Sequence, residues 1–387
     1  MRTRQANPLG PLPTSGLLGF SRCGFEADLV EELKDLGADH ADLLTDGLVQ
    51  ATSNRDPTTM PVFARDLLRV SGALEGLTRG DRIGPIAAHL RASAIHGDSL
   101  ILLAADSESG RKLAPMLRSM GRQLANELSL PLVSQSRPGS VFVVFVDSTT
   151  ALLAQTVGSV SNPWPGGIAR LKMPHGAPSR STLKLDEAFA LMLTAAQRSR
   201  WLRAGMRAVD LGAAPGGWSW QLVNRGMSVT AIDNGPIKGE LQGDPLLTHL
   251  RADGFRWQPP RPVDWLVCDM VAKPARVVER IALWLSNRWC ARALFNLKLP
   301  MQSRYQSWLR LREQLLQQCR LPLQVQARHL YHDREEITVL AVPKRPRANS
   351  QSAAGEQVPT SEKLDRRRPK ARPREPDAAP RPGRRRR

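Results

Sequence analysis

The stretch that decides the fold is Val209-Asp210-Leu211-Gly212-Ala213-Ala214-Pro215-Gly216-Gly217-Trp218. A short apolar run ends in a glycine-rich turn, and a helix-like segment follows. Glycines allow a backbone to approach a bound molecule closely, and the start of a helix presents free N–H groups. The run lacks the GxGxxG spacing of a dinucleotide-binding loop, and Trp218 replaces the lysine of a phosphate-binding GxxxxGK[ST] loop. It therefore predicts a strand–turn–helix unit that binds some other ligand at its turn.

Two acidic residues follow this unit at the ends of short apolar runs. Asp233 comes about twenty residues later, after Thr230-Ala231-Ile232, where a carboxylate is placed to accept the hydroxyls of a ribose. Asp253 follows a third short run and could accept an adenine amino group. The alternative, a turn with solvated acids, remains open above all for Asp253.

Strand-like and helix-like segments alternate through the second half of the chain. The predicted strands are 207–211, 228–232, 264–268, 293–297, 323–330 and 337–342, and the predicted helices are 216–225, 274–286 and 302–318. Strands separated by crossover helices predict an α/β fold with a mostly parallel sheet covered on both faces. The first half mixes strands at 17–20, 99–105 and 140–146 with amphipathic helices, which predicts an α+β region.

Composition points to a polyanionic partner. The chain has 387 residues, of which 41% are hydrophobic, and a formal net charge of +19. Residues 343–387 carry 15 Lys/Arg and 5 Asp/Glu, which leaves +9 in the rest of the chain. This balance favours nucleic acid or an anionic membrane surface as the partner.

No run approaches the roughly 20 apolar residues of a membrane helix. The four cysteines form no CxxC or Cys/His cluster, which predicts buried, reduced thiols in a cytoplasmic protein without a zinc site.

Four separated runs resemble one known family, the bacterial RlmM-type 23S rRNA (cytidine-2′-O)-methyltransferases. The runs are Ala177-Pro178-Ser179-Arg180-Ser181-Thr182-Leu183-Lys184-Leu185, the stretch 209–218, Val267-Cys268-Asp269-Met270-Val271 followed by Lys273-Pro274-Ala275, and Phe295-Asn296-Leu297-Lys298-Leu299-Pro300-Met301. Leu330-Tyr331-His332-Asp333-Arg334-Glu335-Glu336 extends the resemblance. It spans residues 17–342 and is strong after Ile168 and weak before it.

The resemblance implies a class I, Rossmann-like methyltransferase domain with a seven-stranded sheet, preceded by a ferredoxin-like and THUMP region that binds RNA. Composition predicts a loose leader at 1–16 and a basic disordered tail at 344–387, both outside the region of resemblance. Between them we expect an α+β module at 17–90, a THUMP-like domain at 91–170 and the methyltransferase domain at 171–343. The implied cofactor is S-adenosylmethionine. The implied cofactor-binding residues are Ser181, Ala214, Pro215, Gly216, Gly217, Asp233, Asp253 and Asp269. Relatives can carry Cys in place of Ala214.

Lys184, Asp269, Lys298 and Glu336 are the expected catalytic group. A ribose hydroxyl is a poor nucleophile, so the enzyme must place it and remove one proton. A lysine acts as a base only when neutral, which a nearby ammonium, the cationic sulfonium of the cofactor and burial would each favour. We expect Lys298 to be the base, Lys184 to position the hydroxyl, and the two acids to orient the two lysines. All four should meet at the carboxyl edge of the sheet, because an antiparallel last strand begins at that edge.

Other functions are less well supported by the sequence. Methyltransferases of amino groups carry an Asn/Asp-Pro-Pro-aromatic run, which is absent after Cys268. That cysteine could serve as the nucleophile of a base C5-methyltransferase, but strand alternation turns it away from Asp269 and favours core packing. His332 lies in a turn, where a structural role is more common.

Two alternative functions of the whole protein remain: a non-catalytic RNA-binding or assembly factor, and a transfer-RNA methyltransferase. The expected partner is 23S rRNA, either naked or an early precursor, and a monomer is favoured.

Overall fold

The structure is a computed structural model that describes residues 12–93, 95–158, 160 and 162–344. The predicted leader therefore lies outside the described residues up to residue 11, and the predicted tail lies outside them from residue 345 onward. The described part of the chain contains two seven-stranded sheets, one in each half. None of its helices is long and apolar enough to cross a membrane.

The first half forms a mixed sheet with three helices. Its elements are β1 (Gly16–Phe20), α1 (Glu26–Asp35), β2 (His40–Thr45), β3 (Leu48–Thr52), β4 (Asp66–Leu74), α2 (Ile83–Ala92), β5 (Ser99–Ala104), α3 (Glu108–Leu128), β6 (Ser140–Phe145) and β7 (Ala151–Thr156). The strand order is β2-β3-β1-β4-β7-β6-β5, and only β5 and β6 pair in parallel. The predicted boundary at 90/91 falls inside α2, and strands on both sides of it share one sheet. The division of this half into two modules stays a prediction.

The second half forms a mostly parallel sheet with helices on both faces. Its elements are α4 (Ser181–Met192), α5 (Ala195–Trp201), β8 (Arg207–Leu211), α6 (Gly217–Val223), β9 (Ser228–Ile232), β10 (Leu247–Leu250), β11 (Trp265–Cys268), α7 (Pro274–Ser286), β12 (Ala293–Lys298), α8 (Arg304–Gln318), β13 (Leu323–Arg328) and β14 (Glu336–Pro343). The order is β10-β9-β8-β11-β12-β14-β13. Strands β8 to β12 pair in parallel, and β14 is antiparallel to both neighbours. The predicted fold class is confirmed.

Apolar strands explain why this sheet is covered on both faces. Every residue of β11 is buried, as expected for a parallel strand between two helical layers. On one face Val277, Ile281 and Trp284 of α7 belong to a buried cluster. On the other face Phe189 of α4 and Leu222 of α6 belong to a second cluster. The two layers leave the carboxyl ends of the parallel strands open at one edge.

The two halves are joined by buried polar contacts as well as apolar ones. Arg304 Nη1, at the start of α8, donates to Asp28 Oδ2 of α1 at 3.2 Å, and its Nη2 donates to Glu335 Oε2 at 2.9 Å. Only 8% of the Arg304 side chain is exposed, so these contacts satisfy a charge that would otherwise be costly to bury. His329 N also donates to Val62 O at 2.8 Å. The turn between β13 and β14 is therefore fixed by the first half of the chain.

Candidate active site

A cavity of about 1050 Å³ lies at the carboxyl edge of the second sheet. The four predicted catalytic residues, Lys184, Asp269, Lys298 and Glu336, all line it, together with the glycine-rich loop at 212–215. The first half of the chain contributes another part of the wall, including arginines 22, 65 and 111. The structure therefore brings together catalytic candidates that are up to 152 positions apart in sequence, Lys184 and Glu336.

Lys184 is held by two carboxylates. Its Nζ donates to Glu336 Oε1 and lies 3.9 Å from Asp269 Oδ2, and 16% of its side chain is exposed. Burial lowers the pKa of this ammonium, but the charges of Asp269, Glu336 and Asp333 outweigh burial, so the pKa lies above its ordinary value. Lys184 is therefore a fixed cation at neutral pH, which suits a positioning group and not a base.

Lys298 has a different environment. It is the last residue of β12 and lies opposite Glu336 in the β12–β14 pairing. It lines the cavity, but its amine has no hydrogen bond or ion pair with any residue that the structure describes. The expected burial of Lys298 is wrong: Leu297 and Leu299 are buried on either side of it, whereas Lys298 is exposed. Both acids contact Lys184, and the expectation that the two acids also orient Lys298 stays a prediction.

A buried polar chain fixes Asp269. Its Oδ1 accepts from Asn296 Nδ2 at 3.0 Å, and Thr338 Oγ1 lies 2.8 Å from Asn296 Oδ1 and 3.1 Å from Asp333 Oδ2. Burial raises the pKa of Asp333 well above its usual value. The Thr338 hydroxyl is within donating distance of both Asn296 and Asp333, so it links the two side chains behind Asp269. Sequence reasoning gave these three residues no role: Asn296 and Asp333 lie in runs that carry the family resemblance, but their contact through Thr338 depends on strand pairing.

The glycine-rich loop needs its glycines for two different reasons. Gly212 has a φ of +78°, and a Cβ there would lie 2.7 Å from Met270 Cγ. Gly216 has a φ of +112° immediately before α6. Gly217 packs so closely on α4 that a Cβ would lie 2.2 Å from Ser181 Oγ. Larger residues at these positions would push the loop away from the cavity or away from α4.

Comparisons with known proteins agree with this geometry. Residues 177–294 match the family model described as FtsJ-like methyltransferase. The ribosomal RNA large subunit methyltransferase M of Thauera aminoaromatica is 40% identical over 365 residues, which cover 88% of this chain and 100% of the relative. Proteins of the same name from Xylella fastidiosa (strain 9a5c) and Xanthomonas campestris pv. campestris (strain B100) are 44% and 43% identical, covering 84% and 85% of this chain and 98% and 99% of the relatives.

The chain belongs to the ribosomal RNA large subunit methyltransferase M family. The predicted family and the prediction of a methyltransferase are confirmed. Members of this methyltransferase M family use S-adenosylmethionine, so the predicted cofactor is confirmed as well.

Two buried polar atoms beside the glycine-rich loop fit this cofactor. Asp210 Oδ1 and Trp218 Nε1 have no hydrogen-bond partner among the described residues, although Asp210 is 1% and Trp218 2% exposed. Both residues line the cavity. A free acceptor and a free donor are the complement of the ammonium and carboxylate of the cofactor's amino-acid part. Burial raises the pKa of Asp210 to about 7.

The predicted ribose and adenine acids differ in their surroundings. Asp233 accepts Ala214 N through Oδ2 at 3.0 Å and Gly235 N through Oδ1 at 2.7 Å, so its carboxylate is aimed along the loop. Each oxygen keeps a second lone pair for a ribose hydroxyl. Asp253 accepts Phe255 N at 2.8 Å within its own turn, and its side chain is 51% exposed. Neither acid lines the cavity described above, so the two assignments stay predictions.

Two alternative site residues have structural roles in this chain. Cys268 is fully buried in the core, and burial raises the pKa of its thiol to about 12, so the core-packing interpretation is confirmed. The His332 Nδ1 lies 2.6 Å from Glu187 Oε2, which also accepts the His332 backbone N–H. Cys290 and Cys319 are buried as expected, whereas Cys23 is exposed.

Proposed function

We propose that this enzyme transfers a methyl group from S-adenosylmethionine to the ribose 2′-hydroxyl of a cytidine in 23S rRNA, with Lys298 as the general base. Ribosomal RNA as the substrate is supported by the names of the relatives. The single observation that carries the mechanism is the asymmetry of the two lysines. Lys184 is paired with two carboxylates, whereas Lys298 lines the same cavity without a hydrogen bond or ion pair to a described residue.

The two lysines divide the work on the hydroxyl. The cofactor, when bound, supplies a methyl group that is already activated by its sulfonium. Lys298 Nζ accepts the hydroxyl proton, because this amine lines the cavity without a hydrogen bond or ion pair to a described residue. Lys184 donates a hydrogen bond to the ribose oxygen and stabilises the negative charge that develops on it. Asp269 and Glu336 keep Lys184 charged and in place. Asp210 and Trp218 hold the amino-acid part of the cofactor, and Ser181 and the 214–217 loop enclose it.

The proposal also specifies the state of the RNA substrate, the oligomeric state of the enzyme and its location. The enzyme acts as a monomer, in the cytoplasm, on naked or early precursor 23S rRNA. Arginines 22 and 111 of the first half and exposed Arg180 of the second half line the cavity. Such side chains contact phosphates without reading sequence. Because both halves of the chain form the cavity wall, the bound RNA segment must be accessible from two sides. Such access exists before ribosomal proteins cover the RNA.

The test combines mapping in cells with transfer in vitro. Ribosomal RNA from cells with and without this protein is digested and mapped by mass, and we expect one ribose methyl on one 23S cytidine to disappear. In vitro, radiolabelled cofactor is offered with protein-free 23S rRNA, assembled large subunits or transfer RNA. Methyl transfer should be fastest on protein-free 23S rRNA. A methyl group found on a base, or only on transfer RNA, would overturn the proposal.

A further inference from the structure

Tyr331 is an aromatic side chain of the cavity that the catalytic mechanism does not use. It lies in the turn before β14, is partly exposed and lines the cavity, whereas Trp218 is buried. The Arg65 guanidinium covers the Tyr331 ring at 5.1 Å from the centroid. The Tyr331 backbone N–H donates to buried Glu187 Oε1 at 2.7 Å. Arg65 of the first half therefore covers the ring, and Glu187 of the second half anchors the backbone of Tyr331.

Val271 is the second such side chain. It follows Asp269 by two residues, after the end of β11, and lines the same cavity. It is 82% exposed, the largest exposed fraction among the large apolar residues that the structure describes. An isolated exposed apolar residue needs no explanation, but this one borders a catalytic cavity, where apolar surface is normally covered by the substrate.

The sheet places these two residues on opposite sides of the reacting group. Strand β12, which ends at Lys298, lies between β11 and β14. Val271 follows the end of β11, and Tyr331 precedes the start of β14, so both lie at the same sheet edge. Neighbouring strands are about 4.8 Å apart, which puts β11 and β14 about 10 Å apart. A planar ring that is contacted on each face at about 3.5–4.0 Å needs a gap of about 7–8 Å between the two contacting groups.

The geometry points to a slot for the nucleobase of the reacting nucleotide, bounded by the Tyr331 ring on one side of Lys298 and by Val271 on the other. The inference rests on the proposed ribose methylation. The base is bonded to C1′, next to the C2′ carbon that carries the hydroxyl, so a hydroxyl at Lys298 brings its own base to the mouth of the cavity. Splayed bases are commonly bound by stacking on aromatic side chains. The slot holds the base, and the base in turn orients the hydroxyl toward Lys298.

An abasic substrate tests this directly. A 23S rRNA is assembled by ligation with either cytidine or an abasic ribonucleotide, which retains the 2′-hydroxyl, at the methylated position. The kcat and KM of labelled methyl transfer are measured for Tyr331→Leu and for the conservative control Tyr331→Phe. Val271→Ala is compared with Leu283→Ala, a partly exposed α7 residue outside the cavity (42% exposed). Affinity for S-adenosylhomocysteine and thermal unfolding show whether each variant is folded.

On intact RNA, Tyr331→Leu should lower kcat/KM about 5- to 150-fold, equivalent to about 1–3 kcal/mol of base–aromatic stacking. Val271→Ala should lower it about 4- to 15-fold, and the Phe and Leu283 controls should match the wild type within about 2-fold. On abasic RNA, Tyr331→Leu and the wild type should agree within about 2-fold. An equal loss on both RNAs, or weakened S-adenosylhomocysteine binding, would show that Tyr331 only supports the loop, and would overturn the inference. Absence of ribose methylation by the wild type on intact RNA would instead refute the proposed function.

Discussion

Lys298 lies directly opposite Glu336 in the antiparallel pairing of β12 and β14, yet the Glu336 carboxylate binds Lys184. Residues opposite each other in such a pair project from the same face of the sheet. The pairing therefore brings Glu336 and Lys298 to one cavity. Helix α4 supplies a second lysine, Lys184, which forms the ion pair with Glu336. This competition gives the two amines different surroundings: Lys184 is paired with two carboxylates, whereas Lys298 has no hydrogen bond or ion pair with a described residue.

Replacing Lys298 should separate catalysis from cofactor binding. In Lys298→Ala the methyl-transfer rate should fall by about 10²–10⁴-fold, the usual contribution of a general base. Since the side chain is exposed, the free energy of unfolding should change by less than about 0.5 kcal/mol. S-adenosylhomocysteine affinity, measured by calorimetry, should stay unchanged. Lys34→Ala, at an exposed position of α1, serves as the control. Retention of wild-type turnover by Lys298→Ala would remove this residue as the base.

Replacing Lys184 should cost both stability and activity. Lys184→Met leaves Glu336 and Asp269 unpaired in a largely buried site, so we expect the free energy of unfolding to fall by about 1–3 kcal/mol. Lys112→Met is a matched control, because Lys112 pairs with Glu108 at 2.8 Å on the exposed surface of α3. Exposed pairs contribute about 0–1 kcal/mol. Chemical denaturation of both variants checks the difference, and equal losses would show that the Lys184 pairs are no stronger than a surface pair.

The sequence predicted the elements whose signals are local. Strand β8 and helix α7 have the bounds expected from the sequence, because each shows a clear apolar pattern between a start and a stop signal. Strand β2 was missed, since its buried and exposed residues follow no regular alternation. The Asn296–Thr338 contact depends on strand register across 42 residues, which no local pattern encodes. Lys298 shares a face of β12 with buried Leu294 and Asn296, and it is exposed because the strand ends there, at the open carboxyl edge of the sheet.

Two tryptophans with similar burial should respond differently to substitution. Trp218 and Trp284 both have a buried Nε1 without a partner among the described residues, but only Trp218 lines the cavity. Phe keeps most of the packing and removes the unpaired donor, so neither variant should lose much stability. Trp218→Phe should weaken S-adenosylhomocysteine binding about 5- to 10-fold, the value of one hydrogen bond to a charged group being about 1–1.5 kcal/mol or more. Trp284→Phe should leave binding unchanged. Equal affinities of the two variants would mean that Trp218 Nε1 does not contact the ligand.

Asp210 should make both stability and cofactor binding depend on pH. Burial raises the pKa of its carboxyl from 3.8 to about 7. The protonated form therefore stabilises the fold fully below about pH 4, and this contribution is lost as the pH rises through about 7. Ligand binding has the opposite sign, because the ligand's ammonium needs the ionised carboxylate. Affinity for S-adenosylhomocysteine should rise with pH by up to about tenfold per unit below pH 7 and level off above it.

Two variants separate this effect from a general effect of buried acids. Asp210→Asn removes the titrating group at the ligand, so its affinity should be weaker at high pH and nearly independent of pH. Asp66→Asn is the matched control: burial also raises the pKa of Asp66 to about 7, and Asp66 is 1% exposed but does not line the cavity. Asp66→Asn should alter the pH dependence of unfolding and keep the wild-type pH dependence of binding. Calorimetry across about pH 5.5–8.5 distinguishes the two, since only a group that contacts the ligand couples its proton to affinity. A wild-type affinity that stays flat over this range would show that the Asp210 carboxylate does not face the ligand's ammonium.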